Sequence, residues 1–167
     1  MIVYDDIINK EIVSFLKNCT DDKLPIYNAS LLSKPPKEKE RIEFKLCNFV
    51  STGQIYKTKD VSGVTYDVKS ISEYRCQLII RIFDDALNCA ETSGQIAGAI
   101  QTFDYLEQYL DRLYVKNETM RISPFIVQKD NLITNFQEII VDCYVGIEYK
   151  NKVDYFNRIE DSVYEIN

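Results

Sequence analysis

The alternation of apolar and polar residues along the chain is most regular in residues 74–83. Because successive side chains of a strand point to opposite faces of a sheet, this segment presents two different surfaces. One surface is wholly apolar and typical of a core, with Cys76, Leu78, Ile80 and Ile82. The other mixes charged, polar and apolar side chains, with Arg75, Gln77, Ile79, Arg81 and Phe83. We expect a strand that packs on one side and meets water or a partner on the other.

Further segments have strand-like patterns. They are residues 24–27, 41–50, 64–71, 120–127 and 135–149. Proline lacks the backbone N–H that a central strand donates, so we expect the strands that contain Pro25 and Pro124 at an edge or a bulge. The polar segment 51–63, which contains two glycines, is predicted to be a long hairpin loop.

Helical periodicity occurs in residues 4–17, 85–114 and 152–166. The second helix is long, and a break is predicted near Thr102, which suits the N-cap of a further helix. Gly94 and Gly98 predict close packing of this helix against a sheet or another helix. The predicted fold class is α+β. An antiparallel or mixed sheet of about five strands is flanked by an N-terminal helix, a long central helix and a short C-terminal helix.

The length of 167 residues predicts a single domain, 1–167, with one core. Residues 30–40 contain two consecutive prolines and a run of charged side chains. We expect an exposed connector there, either mobile or in contact with a neighbouring subunit.

The charge pattern argues against tight binding of nucleic acid. The net charge is −6 and no basic residues are clustered, whereas nucleic-acid binding requires grouped lysines and arginines. An acidic surface is compatible with DNA that passes nearby without being bound. No run approaches the roughly 18–20 apolar residues of a membrane span, and the first residues lack the features of a signal peptide, so no membrane is expected.

The residues that usually carry catalysis or bind metals are scarce. The chain has five cysteines, none in a C-x-x-C pair, and no histidine, so we expect buried free thiols in a reducing compartment, no metal and no cofactor. Residues 14–17 match S-x-x-K within an amphipathic helix and lack any supporting motif. We also expect no acid–base partners around Arg75, Gln77 and Arg81, and no enzymatic activity.

Four carboxylates fit a metal site poorly. Asp84 and Asp85 fit the cap of the following helix better than a ligand set. Glu138 and Asp142 share one strand face but are roughly 13 Å apart along it, too far for one metal ion.

Several segments resemble the neck or tail terminator proteins of tailed phages, also called tail-completion proteins. The segments that resemble the first strands, the central strand and helix, and the closing hairpin of that family are 27–29, 41–46 (RIEFKL), 74–82 (YRCQLIIRI), 85–86, 121–125 (RISPF), 135–138 and 142–149 (DCYVGIEY). The similarity spans most of the chain and consists of strand, helix and outward polar patterns without a catalytic signature.

This resemblance implies a structural virion protein. The subunit forms a homohexameric ring that terminates the tail tube or joins the tail to the head–neck connector, leaving a pore for DNA. The implied partners are other copies of itself, the tail tube protein, the head–neck connector protein and, in a contractile tail, the sheath. DNA passes through without specific binding. The implied location is the virion, after assembly in the host cytoplasm.

The residues alone also leave other classes open. One is a small enzyme with a carboxylate pocket, or a monomeric domain that binds a ligand or a protein; another is a regulatory nucleic-acid binder. For a ring, the candidate interface residues lie in the connector, in the predicted loop and on the mixed strand face. They are Lys34, Lys37, Glu38, Lys57, Lys59, Asp60, Arg75 and Arg81.

Overall fold

The computed structural model describes residues 6–62, 65–102, 112–127 and 135–154. In chain order the elements are α1 (Asp6–Cys19), β1 (Ile26–Asn28), a 3-10 turn (Ala29–Leu31), β2 (Arg41–Ser62), β3 (Thr65–Phe83), α2 (Ala86–Gln101), β4 (Leu113–Ile122) and β5 (Phe136–Asp154). The fold is α+β, as predicted. The strands form one mixed sheet in the order β1-β2-β3-β5-β4, in which β1 runs parallel to β2 and the other pairs are antiparallel.

Both helices pack on the same face of the sheet. The core lies between the helices and that face. The apolar stripe of α1 meets the apolar side of the central strands, and the side chains of Ile8, Ile12 and Leu16 are at most 1% exposed. The alternation predicted for β3 is confirmed, because Cys76, Leu78, Ile80 and Ile82 are all buried in this core. The matching set in β5 is also buried, with Ile139, Val141, Cys143 and Val145.

The ends of α2 have specific caps. The Asp85 carboxylate accepts a hydrogen bond from the Asn88 backbone N–H, which satisfies one of the free donors of the first turn. At the other end, the Thr102 hydroxyl donates to the Gly98 carbonyl, and the Thr102 N–H donates to the Ala99 carbonyl. Thr102 therefore closes α2. The further helix predicted to start at Thr102 falls on residues 103–111, outside the described part.

The prediction of a loop over residues 51–63 was wrong, because β2 continues through Ser62. The strand pairs with β3 down to Ser62 opposite Thr65, so the predicted strand 64–71 and the strand 74–83 are one element. Two register shifts interrupt the pairing, and they absorb the residues that resemble a turn. Asn48 adopts a φ of 57° at the first, and Gly53 adopts a φ of 78° at the second.

The predicted helix boundaries also need correction. The described residues contain two α-helices rather than three. The central helix ends at Gln101, and β4 already begins at Leu113, so the helix does not reach Tyr114. The strand predicted over 120–127 is observed only in part, because β4 ends at Ile122 and Ile126 adds an isolated bridge to Phe136. Strand β5 extends to Asp154, so residues 152–154 are not helical. The rest of the predicted C-terminal helix lies beyond the described residues.

Three strands continue past the ends of their pairing with β1 and β4 as an extension that we call the arm. It consists of residues 55–62 of β2, 65–72 of β3 and 147–154 of β5. Strand β1 pairs with β2 only as far as Phe44, and β4 pairs with β5 only as far as Val145, so neither reaches the arm. Eight residues of strand span about 25 Å, so the arm is a substantial projection.

The glycines of α2 and of β5 have opposite surroundings, which yields a first prediction. An added Cβ at Gly94 or Gly98 meets no described atom within 4 Å, so the predicted close packing of these glycines within the subunit was wrong. At Gly146 an added Cβ lies 2.7 Å from Ile71 Cγ2. We expect Gly94→Ala to raise the free energy of unfolding by about 0.5–1 kcal/mol through helix propensity. Gly146→Ala should lower it by about 1–3 kcal/mol through overpacking.

Urea denaturation of the two variants beside the wild type measures both effects. A loss of stability in Gly94→Ala would contradict the open surroundings of that glycine, and an unchanged midpoint in Gly146→Ala would contradict the close approach of Ile71.

Candidate interaction face

The face of the sheet opposite the helices carries ordered rows of polar and aromatic side chains, and we call it the open face. Strand register aligns residues of β2, β3 and β5 in every row, and β4 contributes to three of the rows. The rows are Arg41–Phe83–Phe136, Glu43–Arg81–Glu138, Lys45–Ile79–Ile140–Arg121, Cys47–Gln77–Asp142–Lys116 and Val50–Arg75–Tyr144–Tyr114. In the described part of the chain, neither α-helix covers these rows, whereas the 3-10 turn and the connector lie beside Arg41 and Glu43.

Arg41 is buried at one end of this face, where it links the connector to the sheet. Its Nε lies 2.9 Å from Glu43 Oε1, and its Nη1 donates to the carbonyls of Glu38 and Lys39 at 3.2 and 3.3 Å. Its guanidinium lies 4.0 Å from the centre of the Phe83 ring, within the range of a cation–π contact. Both side chains of the Arg41–Glu43 pair are almost fully buried, at 10% and 13% exposure. Sequence reasoning missed Arg41 because nothing in its neighbourhood marks it as buried.

The next row contradicts the expectation that Arg81 has no acidic partner. Arg81 Nε lies 2.6 Å from Glu138 Oε2, and its guanidinium lies 5.1 Å from the Phe136 ring centre. Gln77 is also engaged, since its side chain accepts from Asn48 at 2.7 Å and donates to Asp142 at 3.4 Å. These contacts fix the middle of the open face in one arrangement.

The far end of the open face is aromatic and basic. Lys116 Nζ lies 5.7 Å from the Tyr144 ring centre, and that ring lies 6.5 Å from the ring of Tyr114, which is exposed. Arg121 is 3.9 Å from the carboxylate of Asp142.

Arg75 is exposed between these rows and makes no ion pair or hydrogen bond to the described residues. Of the two arginines predicted at an interface, Arg75 is therefore available to a partner, whereas Arg81 is already paired.

The connector candidates lie near the buried Arg41. The Tyr27 hydroxyl donates to the Glu38 carboxylate, and this hydrogen bond lowers the pKa of Glu38 and raises the pKa of Tyr27. Lys34 lines an open depression of about 270 Å³ with Arg41 and Glu43 on its floor. Lys37 is exposed on the same segment. The connector is thus held at Glu38 and presents Lys34 and Lys37 to solvent.

The other three candidates lie on the arm rather than in a loop. In the register of β2 with β3, Lys57 is opposite Ser70, Lys59 is opposite Val68 and Asp60 is opposite Asp67. The structure therefore does not gather all eight candidates. It places two arginines on the open face, three residues beside Arg41 and three along the arm.

The four carboxylates of the poorly fitting metal site, Asp84, Asp85, Glu138 and Asp142, have other partners. Asp84 Oδ1 accepts from the Asp85 backbone N–H, and both carboxylates bond to Asn88 at the start of α2. Glu138 and Asp142 interact with open-face residues. Across the described ranges, no three cysteine or acidic side chains are grouped as a metal would require. Asp84 and Asp85 also line an open depression of about 260 Å³ beside Arg41.

The cysteines are free, and three of the five are buried: Cys76, Cys89 and Cys143. Cys19 and Cys47 are partly exposed, so the prediction of burial holds only for the others. Burial raises the pKa of the Cys19 thiol to about 12, which suppresses the reactive thiolate. Cys76 and Cys143 lie directly opposite each other on β3 and β5, and the hydrogen bond between them, with burial, raises the pKa of Cys143.

Two further findings concern membrane-spanning helices and similarity to known proteins. No helix within the described ranges is both long and apolar enough to cross a membrane. The sequence matches no protein-family model, and it matches no curated protein.

Proposed function

We propose that this protein is a structural subunit of a tailed-phage virion that assembles into a hexameric ring. The ring terminates the tail tube or joins the tail to the head–neck connector and leaves a pore for DNA. Its partners in this proposal are other copies of the chain, the tail tube protein, the connector protein and, in a contractile tail, the sheath. Assembly takes place in the host cytoplasm, and the ring remains in the virion.

The observation that carries the proposal is the arm. Its strands continue past the ends of the pairing with β1 and β4, and on β2 the side chains of Ile55 and Tyr56 are 56% and 59% exposed. Within the described residues, neither outer edge of the arm pairs with another strand. Unpaired strand edges with exposed apolar side chains are templates for pairing with another chain. An element of this kind serves contacts between subunits better than it serves the core of one subunit.

The resemblance to tail terminator proteins is the reason for proposing a hexameric ring as the assembly. The segments on which the resemblance rests include strands of the open face and the start of α2. The competing proposal, a monomeric enzyme or binding domain, would place its chemistry at the depression beside Arg41. The carboxylates there already cap α2, which favours the structural role.

Size-exclusion chromatography with light scattering tests the proposal. The protein, alone at high concentration or mixed with tail tubes of the phage that encodes it, should form a species of about six times the 19.5 kDa subunit mass. Reversing the charge of Lys57, Lys59 and Asp60 should weaken this assembly, whereas Lys23→Glu, in the exposed turn after α1, should not. A protein that remains monomeric alone and with tubes would exclude the ring.

A further inference from the structure

The charges of this subunit are divided unequally between its two sides. The five rows of the open face carry six basic residues, Arg41, Lys45, Arg75, Arg81, Lys116 and Arg121, and three acidic ones, Glu43, Glu138 and Asp142. This is an excess of three positive charges in a chain whose net charge is −6. The rest of the chain therefore has an excess of nine negative charges. A face with the opposite sign to the whole molecule is suited to an acidic partner.

Pairing within the face identifies which cations are available. Arg41 is paired with Glu43, Arg81 with Glu138, and Arg121 lies near Asp142. The remaining cations are Lys45, Arg75 and Lys116. None of them forms an ion pair with the described residues, and the Lys116 ammonium lies over the Tyr144 ring. These three side chains, with the exposed Val50 and Tyr114 beside them, supply the charge and the apolar area of a docking surface.

The opposite side of the subunit has the complementary character. Residues 82–102 contain three acidic residues and no basic one. The side of α2 that points away from the sheet exposes Glu91, together with Leu87 at 78% exposure. Gly94 and Gly98 lie on the same side and leave open space where side chains would otherwise stand. Another backbone can approach this side closely, and the acidic side chains match the free cations of the open face.

We infer that the open face of one subunit docks on the outer side of α2 in a second copy of this chain. The two surfaces lie on opposite sides of the sheet–helix sandwich, so the contact is head to tail and can be repeated from subunit to subunit. Repeated head-to-tail contacts form a closed ring when the rotations from each subunit to the next add up to a full turn. The inference rests on the proposed ring function and specifies which surfaces form its interface.

Charge reversal on each surface and on both together tests the pairing. The open-face variant is Lys45→Glu, Arg75→Glu and Lys116→Glu; the helix variant is Glu91→Lys and Gln101→Lys. Sedimentation equilibrium should show that each set raises the dissociation constant of self-association about 10- to 100-fold. The combined variant, in which the open face loses three cations for carboxylates and the outer side of α2 becomes basic, should return to within about threefold of the wild type. Lys23→Glu, which changes charge outside both surfaces, is the matched control.

The alternatives give different results. If subunits associate but the helix variant has no effect, the open face has another occupant and the inference fails, while the proposed ring stands. If association is absent at low ionic strength at the highest concentration, the inference also fails, and the mixture with tail tubes then decides the proposed function separately. Salt-dependent binding of a short DNA duplex by the wild type, lost in the open-face variant, would assign this face to nucleic acid and overturn the inference.

Discussion

Replacing Arg41 with methionine should lower the free energy of unfolding by about 3–5 kcal/mol, the largest effect we expect from a single polar substitution. The methionine retains much of the apolar volume over Phe83 but removes the partner of Glu43. Glu43 would remain as an almost buried carboxylate without its cation. The carbonyls of Glu38 and Lys39 would also lose the guanidinium that now donates to them. The destabilisation therefore comes from groups left unsatisfied rather than from the lost attraction alone.

Two comparisons make this prediction specific. Arg75→Met, on the exposed part of the same face, should change stability by no more than about 0.5 kcal/mol. The double variant Arg41→Met with Glu43→Leu should recover most of the lost stability, because an apolar pair leaves no buried charge behind. Chemical denaturation measures all of these variants. A loss below about 1 kcal/mol in Arg41→Met would show that the guanidinium does not hold the connector to the sheet.

Truncating Ile80 to alanine should lower the free energy of unfolding by about 2–5 kcal/mol. Ile80 is fully buried at the centre of the sheet, between Phe44 of β2 and Ile139 of β5 in the strand register. The neighbouring strands and both helices surround this side chain, so the cavity should collapse only in part. The loss thus combines the transfer of the removed methylenes with a cavity term.

Ile79→Ala is the matched control, because it removes the same atoms one residue away on the open face. Ile79 is only partly buried, so its truncation should cost less than about 1.5 kcal/mol. Thermal or urea unfolding of the two variants compares the faces directly. Equal losses would mean that the open face is covered in the isolated subunit, contrary to the structure.

The faces of the strands were predictable from the sequence, whereas their pairing was not. Period-two alternation identifies Cys76 and Ile80 as core residues from local pattern alone. The partner of Arg81 lies 57 residues further along the chain, and periodicity carries no information about register over that distance. The charge excess of the open face was hidden for the same reason, since it arises only when four strands are aligned.

The largest error, at residues 51–63, has a local cause. Ser51, Thr52 and Gly53 have turn composition, and two of them do form side-chain hydrogen bonds to nearby backbone N–H groups. These bonds stabilise an irregularity in the strand rather than a reversal of the chain, because β3 continues to pair on the far side of it. Similarly, the leucines after Thr102 continue a helical period, and the apolar stripe alone gave no sign that β4 begins at Leu113.

Electron microscopy of the assembled protein tests the central claim most directly. Averaged images, recorded at a concentration where light scattering shows assembly or with tail tubes added, should show closed rings of six subunits around a central opening. The combined charge-exchange variant should give the same rings, and the open-face variant should give few. Images that contain only single subunits under both conditions, or compact dimers without an opening, would contradict the proposed ring.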